Sequence, residues 1–137
     1  MTLRKRPQLI VDAFIKKNNK YLAIKRKAIE PGTWETPGGR VEFGERVKDA
    51  LKREINEEVG VNIKINKFLG WGEGLNCPHV DGSPRHRFIL YFECKVLSGE
   101  LQIGKRESST HKWVTWNEFK KLRPLSKPIK DFFDRFG

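Results

Sequence analysis

The stretch that most constrains this chain is Gly38-Gly39-Arg40-Val41-Glu42-Phe43-Gly44-Glu45, continued by the run from Arg46 to Val61. The run predicts a helix from Arg46 to about Glu58. Ala, Leu, Lys, Arg and Glu dominate it, nothing in it breaks a helix, and Gly60 stands where a C-terminal cap belongs. At about 100° per residue, Val47, Ala50 and Leu51 form an apolar stripe that packs on a core. Toward the C-terminus the stripe meets Glu54 and Glu58, with Glu57 just beside them, while Ile55 and Val59 keep one flank buried. Three carboxylates therefore occupy places where an amphipathic helix would carry Leu or Val.

Acids on a helix are usually solvated and paired with lysines one turn away. The direction of this face argues against that, because Ala50, Leu51 and Ile55, its neighbours along the helix, offer no cation. Converging carboxylates repel one another unless a divalent cation joins them. An all-oxygen ligand set favours Mg²⁺, with Mn²⁺ as a substitute, over zinc.

Gly39, five residues, Glu45, seven residues and then Arg53-Glu54-Ile55-Asn56-Glu57-Glu58-Val59-Gly60-Val61 resembles the Nudix box at every defined position. Trp34-Glu35-Thr36-Pro37-Gly38-Gly39 resembles the usual approach to it. The resemblance implies an α+β fold, the Nudix α/β/α sandwich, with a mixed β-sheet and the loop-helix-loop box. It also implies a Mg²⁺-dependent pyrophosphohydrolase that cleaves a nucleoside diphosphate linked to another group. Glu54, Glu57 and Glu58 are then metal ligands, joined by the carbonyl of Gly39. Glu54 is also a candidate base, oriented by Arg53. By helical angle Arg53 points away from the carboxylates, so its influence is expected to run through the loop carrying Gly39 and Glu45. Glu45, at the helix start, is either a further ligand or a cap that favours the helix dipole.

Members of that family often recruit another acid or base from outside the box. Here Glu107 is the expected ligand and His111 the expected base, with Glu93 next. Some ADP-ribose hydrolases of the family carry a proline beyond the box, and Pro78 lies near that place. The layout from His86 through Trp113 is similar to that of nucleotide-sugar hydrolases. An ADP-ribose or nucleotide-sugar substrate is favoured on this basis, and a MutT-type nucleoside triphosphatase is the nearest alternative.

The flanking chain supports a single domain over residues 1–137, long enough for a core without disulfides. Gln8 to Lys16 and Tyr21 to Arg26 read as a hairpin closed by Asn18-Asn19. Trp34 is either a core anchor or a lid on the substrate base. Glycines at 38 and 39 let the backbone turn tightly and approach a ligand. Val61 to Leu69 alternates as a half-buried strand, whereas 70–84 reads as a loop-rich segment suited to specificity. Arg87 to Leu97 is the strongest strand, and His86 and Arg87 at its start are candidates to meet phosphates. Polar residues 104–110 are expected to be mobile, followed by a last strand, His111 to Thr115. Asn117 and Ser126 read as caps of two short helices, the second presenting Ile129, Phe132, Phe133 and Phe136 on one face.

Lys and Arg number 28 against 17 Asp and Glu, a formal net charge of +11. Such an excess admits polyanionic partners. A small nucleotide is the expected substrate. Nucleic acid is left open, and a basic RNA-binding or RNA 5′-end-processing module is the competing class, though no RNA-binding motif is present. A homodimer is compatible with the sequence. Two isolated cysteines, Cys77 and Cys94, suggest a reducing compartment. Neither a signal peptide nor a membrane span is legible, so a cytoplasmic location is expected and no membrane partner.

Overall fold

The computed structural model describes residues 5–103 and 108–137. The first hairpin forms as its sequence suggests. Strand β1, Gln8–Lys17, turns at Asn18, which takes φ 57°, into β2, Lys20–Arg26. Two short strands follow, β3 at Trp34–Glu35 and β4 at Gly38–Arg40, and then helix α1 at Val47–Val59. Strands β5, Asn62–Cys77, and β6, Arg85–Ser98, form a long antiparallel pair. Strand β7, Ser108–Val114, and helices α2, Trp116–Lys121, and α3, Lys127–Phe136, complete the chain.

The sheet is mixed and runs β3-β2-β1-β6-β5, with β4 added to β1 and β7 to β2. Strand β1 is central. It pairs in parallel with β6 and antiparallel with β4 and β2. Because successive side chains on a strand point to opposite faces, β1 feeds two cores. Val11, Ala13 and Ile15 pack with Ala50, Leu51, Ile55 and Val59 of α1. Ile10 and Phe14 pack with Phe119 of α2 and Ile129, Phe132 and Phe133 of α3. Helices on both faces of the sheet make the expected α/β/α sandwich. No helix among the described residues is long and apolar enough to cross a membrane.

Four local expectations need correction. The last strand starts at Ser108 and not His111, because Ser108 and Thr110 pair with Arg26 and Lys25 of β2, so 108–110 are not part of a mobile segment. Residues 70–77 are not loop but the second half of β5. Gly70, Gly72 and Gly74 alternate there because α3 lies directly on the strand, and a Cβ on Gly72 would stand 1.9 Å from the Pro128 carbonyl oxygen. The cap of α2 is Thr115, not Asn117. Its hydroxyl accepts from the Glu118 amide at 3.2 Å, and Glu118 reaches back to the Thr115 amide at 2.8 Å, a reciprocal capping box. Ser126 does stand at the start of α3, but its hydroxyl donates to Glu35 instead of capping the helix.

Candidate active site

Helix α1 ends as its sequence requires, with Gly60 in the left-handed region at φ 76° and its amide bonded to the Asn56 carbonyl. Its buried face continues into acid. Glu58 is buried, Glu54 is largely so, and Glu57 is the exposed member of the three. Glu54 and Glu58 open into one cleft of about 290 Å³, which Gly38 and Gly39 of β4 also line.

The two glycines serve space here and not an unusual φ. A Cβ on Gly39 would fall 2.2 Å from Glu54 Oε2, and one on Gly38 would fall 2.1 Å from Asp12 Oδ1. Only a bare backbone lets α1 press its carboxylates against β4.

Each carboxylate has a cation, contrary to the expectation of unpartnered acids. Arg53 does not point away from the cluster. Its Nε and Nη2 hold both Glu45 oxygens at 2.8 and 2.9 Å, its Nη1 donates to Glu54 Oε1 at 2.8 Å and Glu57 Oε2 at 3.3 Å, and its Nη2 also reaches the Arg40 carbonyl at 3.1 Å. A long arginine side chain reaches back across its own turn, which an angle measured at Cα does not capture. The path through the Gly39–Glu45 loop is real, since Arg53 binds both Arg40 and Glu45. Glu45 lies before the helix, whose N-cap is Arg46, so it does not cap it. Its Oε1 accepts from the Glu42 amide at 3.1 Å. Hydrogen bonding from Arg53 holds its carboxyl down at about 2.

Glu58 is balanced from outside the helix. Its Oε2 accepts from the Gly38 amide at 3.2 Å, and Arg26 Nη1 lies 3.8 Å from its Oε1. Arg26 also lies 3.7 Å from Asp12 and donates to the Thr36 carbonyl at 3.2 Å. Asp12 and Glu35 are wholly buried. Burial pushes both carboxyls up, and for Asp12 the charge of Glu35 adds to it. Thr36 Oγ1 contacts both, at 2.9 Å from Asp12 and 3.2 Å from Glu35, and Tyr91 donates to Glu35 at 3.2 Å.

These partners were not singled out from the sequence. Asp12 had a signal, as a lone acid in an apolar strand. Arg26 had a weaker one, at the end of a strand whose inward residues are Leu22 and Ile24. Arg85 and His79, which also line the cleft, had none beyond their residue type.

The substrate candidates separate. Arg87 lines the cleft, but His86, on the opposite face of β6, lines a different groove with Leu75 and Pro84. Trp34 is a core residue, 5% exposed, with the ammonium groups of Lys25 and Lys112 5.2 and 5.1 Å from its ring centre. It is no lid. His111 of β7 is opposite Ile24 of β2, is exposed, and is not among the residues lining the cleft. Glu93 hydrogen-bonds Tyr21 instead. Glu107 lies outside the described residues.

Among the described residues no group of three or more His, Cys, Asp or Glu is gathered closely enough to hold an ion. The chemistry of the donors still fits a hard cation. Mg²⁺ is commonly held by one or two carboxylates, with water and substrate phosphate completing its shell. Glu54, Glu58 and the Gly39 backbone, all oxygen donors facing one cleft, match that pattern. Zinc chemistry has no such support, because Cys77 and Cys94 are buried on different strands and neither lines the cleft.

Comparison with known proteins gives concordant results. The family model of the NUDIX domain matches residues 6–136. An ADP-ribose pyrophosphatase of Methanocaldococcus jannaschii is 38% identical over 129 residues, 92% of this chain and 73% of the relative. The nucleoside triphosphatase NudI of Escherichia fergusonii is 32% identical over 117 residues, 80% of this chain and 82% of the relative. The crystal structure of a MutT NUDIX hydrolase from Burkholderia pseudomallei superposes with a TM-score of 0.73 at 27% identity, covering 89% of this chain and 92% of the other.

Proposed function

The chain belongs to the NUDIX family of hydrolases, and from that premise we propose that residues 1–137 form one Mg²⁺-dependent domain that cleaves a nucleoside diphosphate linked to a second group. As a family member it is a nucleotide pyrophosphohydrolase. The observation that carries the finer reading is the emergence of Glu54 and Glu58 from the buried face of α1 into one cleft, against a Gly39 that leaves room for them.

In this reading Glu54, Glu58 and the Gly39 carbonyl hold the metal, and exposed Glu57 joins them. When bound, the cation supplies charge neutralisation at the phosphates and lowers the pKa of water. Glu54 accepts the proton of the attacking water. Arg53 fixes the Glu54 carboxylate by its Nη1 bond, and Glu45 in turn fixes Arg53 by a two-point grip. Buried Arg26 offsets the charge of Glu58 before substrate arrives. This reading takes Glu54 and not His111 as the base, because Glu54 lines the cleft and His111 is not among its lining residues.

For the substrate we favour ADP-ribose or a nucleotide sugar, on the similarity to the archaeal ADP-ribose pyrophosphatase. Nucleoside triphosphates are the second reading, on the similarity to NudI. A product-resolved screen of ADP-ribose, nucleotide sugars, dinucleoside polyphosphates and triphosphates, with Mg²⁺ and with chelator, tests both. Release of a nucleoside monophosphate from ADP-ribose only with metal is expected. Metal-independent turnover, or none with any of the four classes, overturns the reading.

A further inference from the structure

Arg87 is a buried cation whose hydrogen bonding is incomplete, although its charge also acts on the buried carboxyls of Asp12 and Glu35. It is 2% exposed, yet its Nε and Nη1 have no hydrogen-bond partner. Its counter-ion, Glu30, stands with Oε1 3.7 Å from Nη1, beyond hydrogen-bond range. Glu30 is otherwise engaged, since its Oε2 accepts from the Lys127 amide at 2.8 Å. A guanidinium kept only to neutralise buried acids would be hydrogen-bonded to them, because buried donors without acceptors are costly. Arg87 is bonded to none.

Arg85 stands two residues earlier on the same face of β6. One of its terminal nitrogens holds Asp81, but its Nε is also buried without a partner. Both arginines line the cleft that Glu54 and Glu58 line. In the sheet, β1 lies between β6 and β4, so the guanidinium groups and the carboxylates enter the cleft from different sides of the central strand. The apolar lining is Ile10 and Ile29, and among the described residues no Phe, Tyr or Trp lines the cleft, where His79 is the one ring.

We propose that Arg85 and Arg87 form a metal-independent phosphate subsite, which grips the phosphoryl group that the carboxylate side of the cleft does not hold. The identity of the ligand as substrate phosphate rests on the hydrolase reading. The existence of the anion site does not. Planar guanidinium groups with free donors match phosphate oxygens in a two-point geometry that an ammonium cannot reproduce. Substrates are accordingly gripped by their phosphates.

The test uses the full chain with chelator present and inorganic pyrophosphate as the probe, followed through the Nε–H signals of ¹⁵N-labelled arginines. The Arg85 and Arg87 signals shift on titration. Arg87→Lys weakens binding by about tenfold or more, and His86→Gln, in the other groove, binds as the parent does. With Mg²⁺ and the best substrate of the screen, Arg87→Lys raises KM by about tenfold with kcat changed by less than about threefold. Unmoved Arg85 and Arg87 signals at millimolar pyrophosphate overturn the proposal, and so does an Arg87→Lys protein that binds like the parent. The wild-type titration decides even if that variant does not fold. Pyrophosphate binding at these arginines without turnover of any substrate leaves the subsite standing and removes the hydrolase reading. Turnover without such binding does the reverse.

Discussion

At the scale of single residues, the site consists of carboxylates compensated by arginines. Glu54→Gln and Glu58→Gln are each expected to lower kcat by about a hundredfold or more, by loss of charge stabilisation at the phosphates. Their stabilities should differ. Glu54 is partly exposed, and its neutralisation leaves Arg53 with Glu45 and Glu57, so the melting temperature should hold. Glu58 is buried beside Arg26, and its neutralisation leaves that guanidinium under-compensated, so the melting temperature should fall. Calorimetry beside steady-state kinetics checks both, and parental turnover in either variant would remove these residues from the site. The Arg53–Glu45 grip also predicts a pH dependence. The folded carboxyl of Glu45 sits at about 2, below its ordinary 4.5. Its stabilising contribution is therefore complete above about 4.5 and is lost as pH falls toward 2. NMR titration should show the Glu45 value returning toward 4.5 in Arg53→Ala, and the acid limb of the stability curve should be shallower there.

At the scale of elements, the decisive contact is α3 against the second half of β5. Asp131 of α3 accepts from the Glu73 amide at 2.8 Å, while Phe132 and Phe133 fill the core beneath the helix. Gly72 permits the approach. Gly72→Ala is expected to destabilise the fold by about 1–3 kcal/mol through overpacking against Pro128, and Phe132→Ala by about 3–5 kcal/mol through the cavity left behind. Denaturant unfolding measures both. A neutral Gly72→Ala would mean that α3 rides farther from the strand than the structure shows. Because Lys127 at the start of α3 binds Glu30, and Glu30 stands behind Arg87, this packing also reaches the cleft.

At the scale of the whole molecule, the net charge of +11 has a kinetic consequence. Four arginines and two glutamates line the cleft, so a phosphate-bearing substrate is drawn in by a field that salt screens. Raising ionic strength from about 0.05 to 0.5 M should lower kcat/KM several-fold with kcat nearly constant, as expected for screened capture. A fall in kcat instead would place the salt effect on the chemical step. The competing nucleic-acid reading predicts a different response, namely RNA retained without Mg²⁺ and without cleavage, with affinity falling steeply as salt rises.

The sequence by itself determined what depends on near neighbours along the chain. It specified the first hairpin through its Asn-Asn turn, the α1 helix and its Gly60 cap, the acid that interrupts the helix's buried face, and the box spacing that names the family. Hydrogen bonding within a turn and the 3.6-residue period need no distant partner, so these features are legible locally. What only the tertiary structure decided are the partners of those charges. Arg26 meets Glu58 because β2 ends beside β3 and the Thr36 link that leads into β4, Arg87 and not His86 faces the cleft because of the register of β6 on β1, and residues 70–77 stay extended because a helix nearly sixty residues later lies upon them. Charge compensation and glycine-mediated packing act through space between strands distant in sequence, and no local pattern encodes which cation or which helix will arrive.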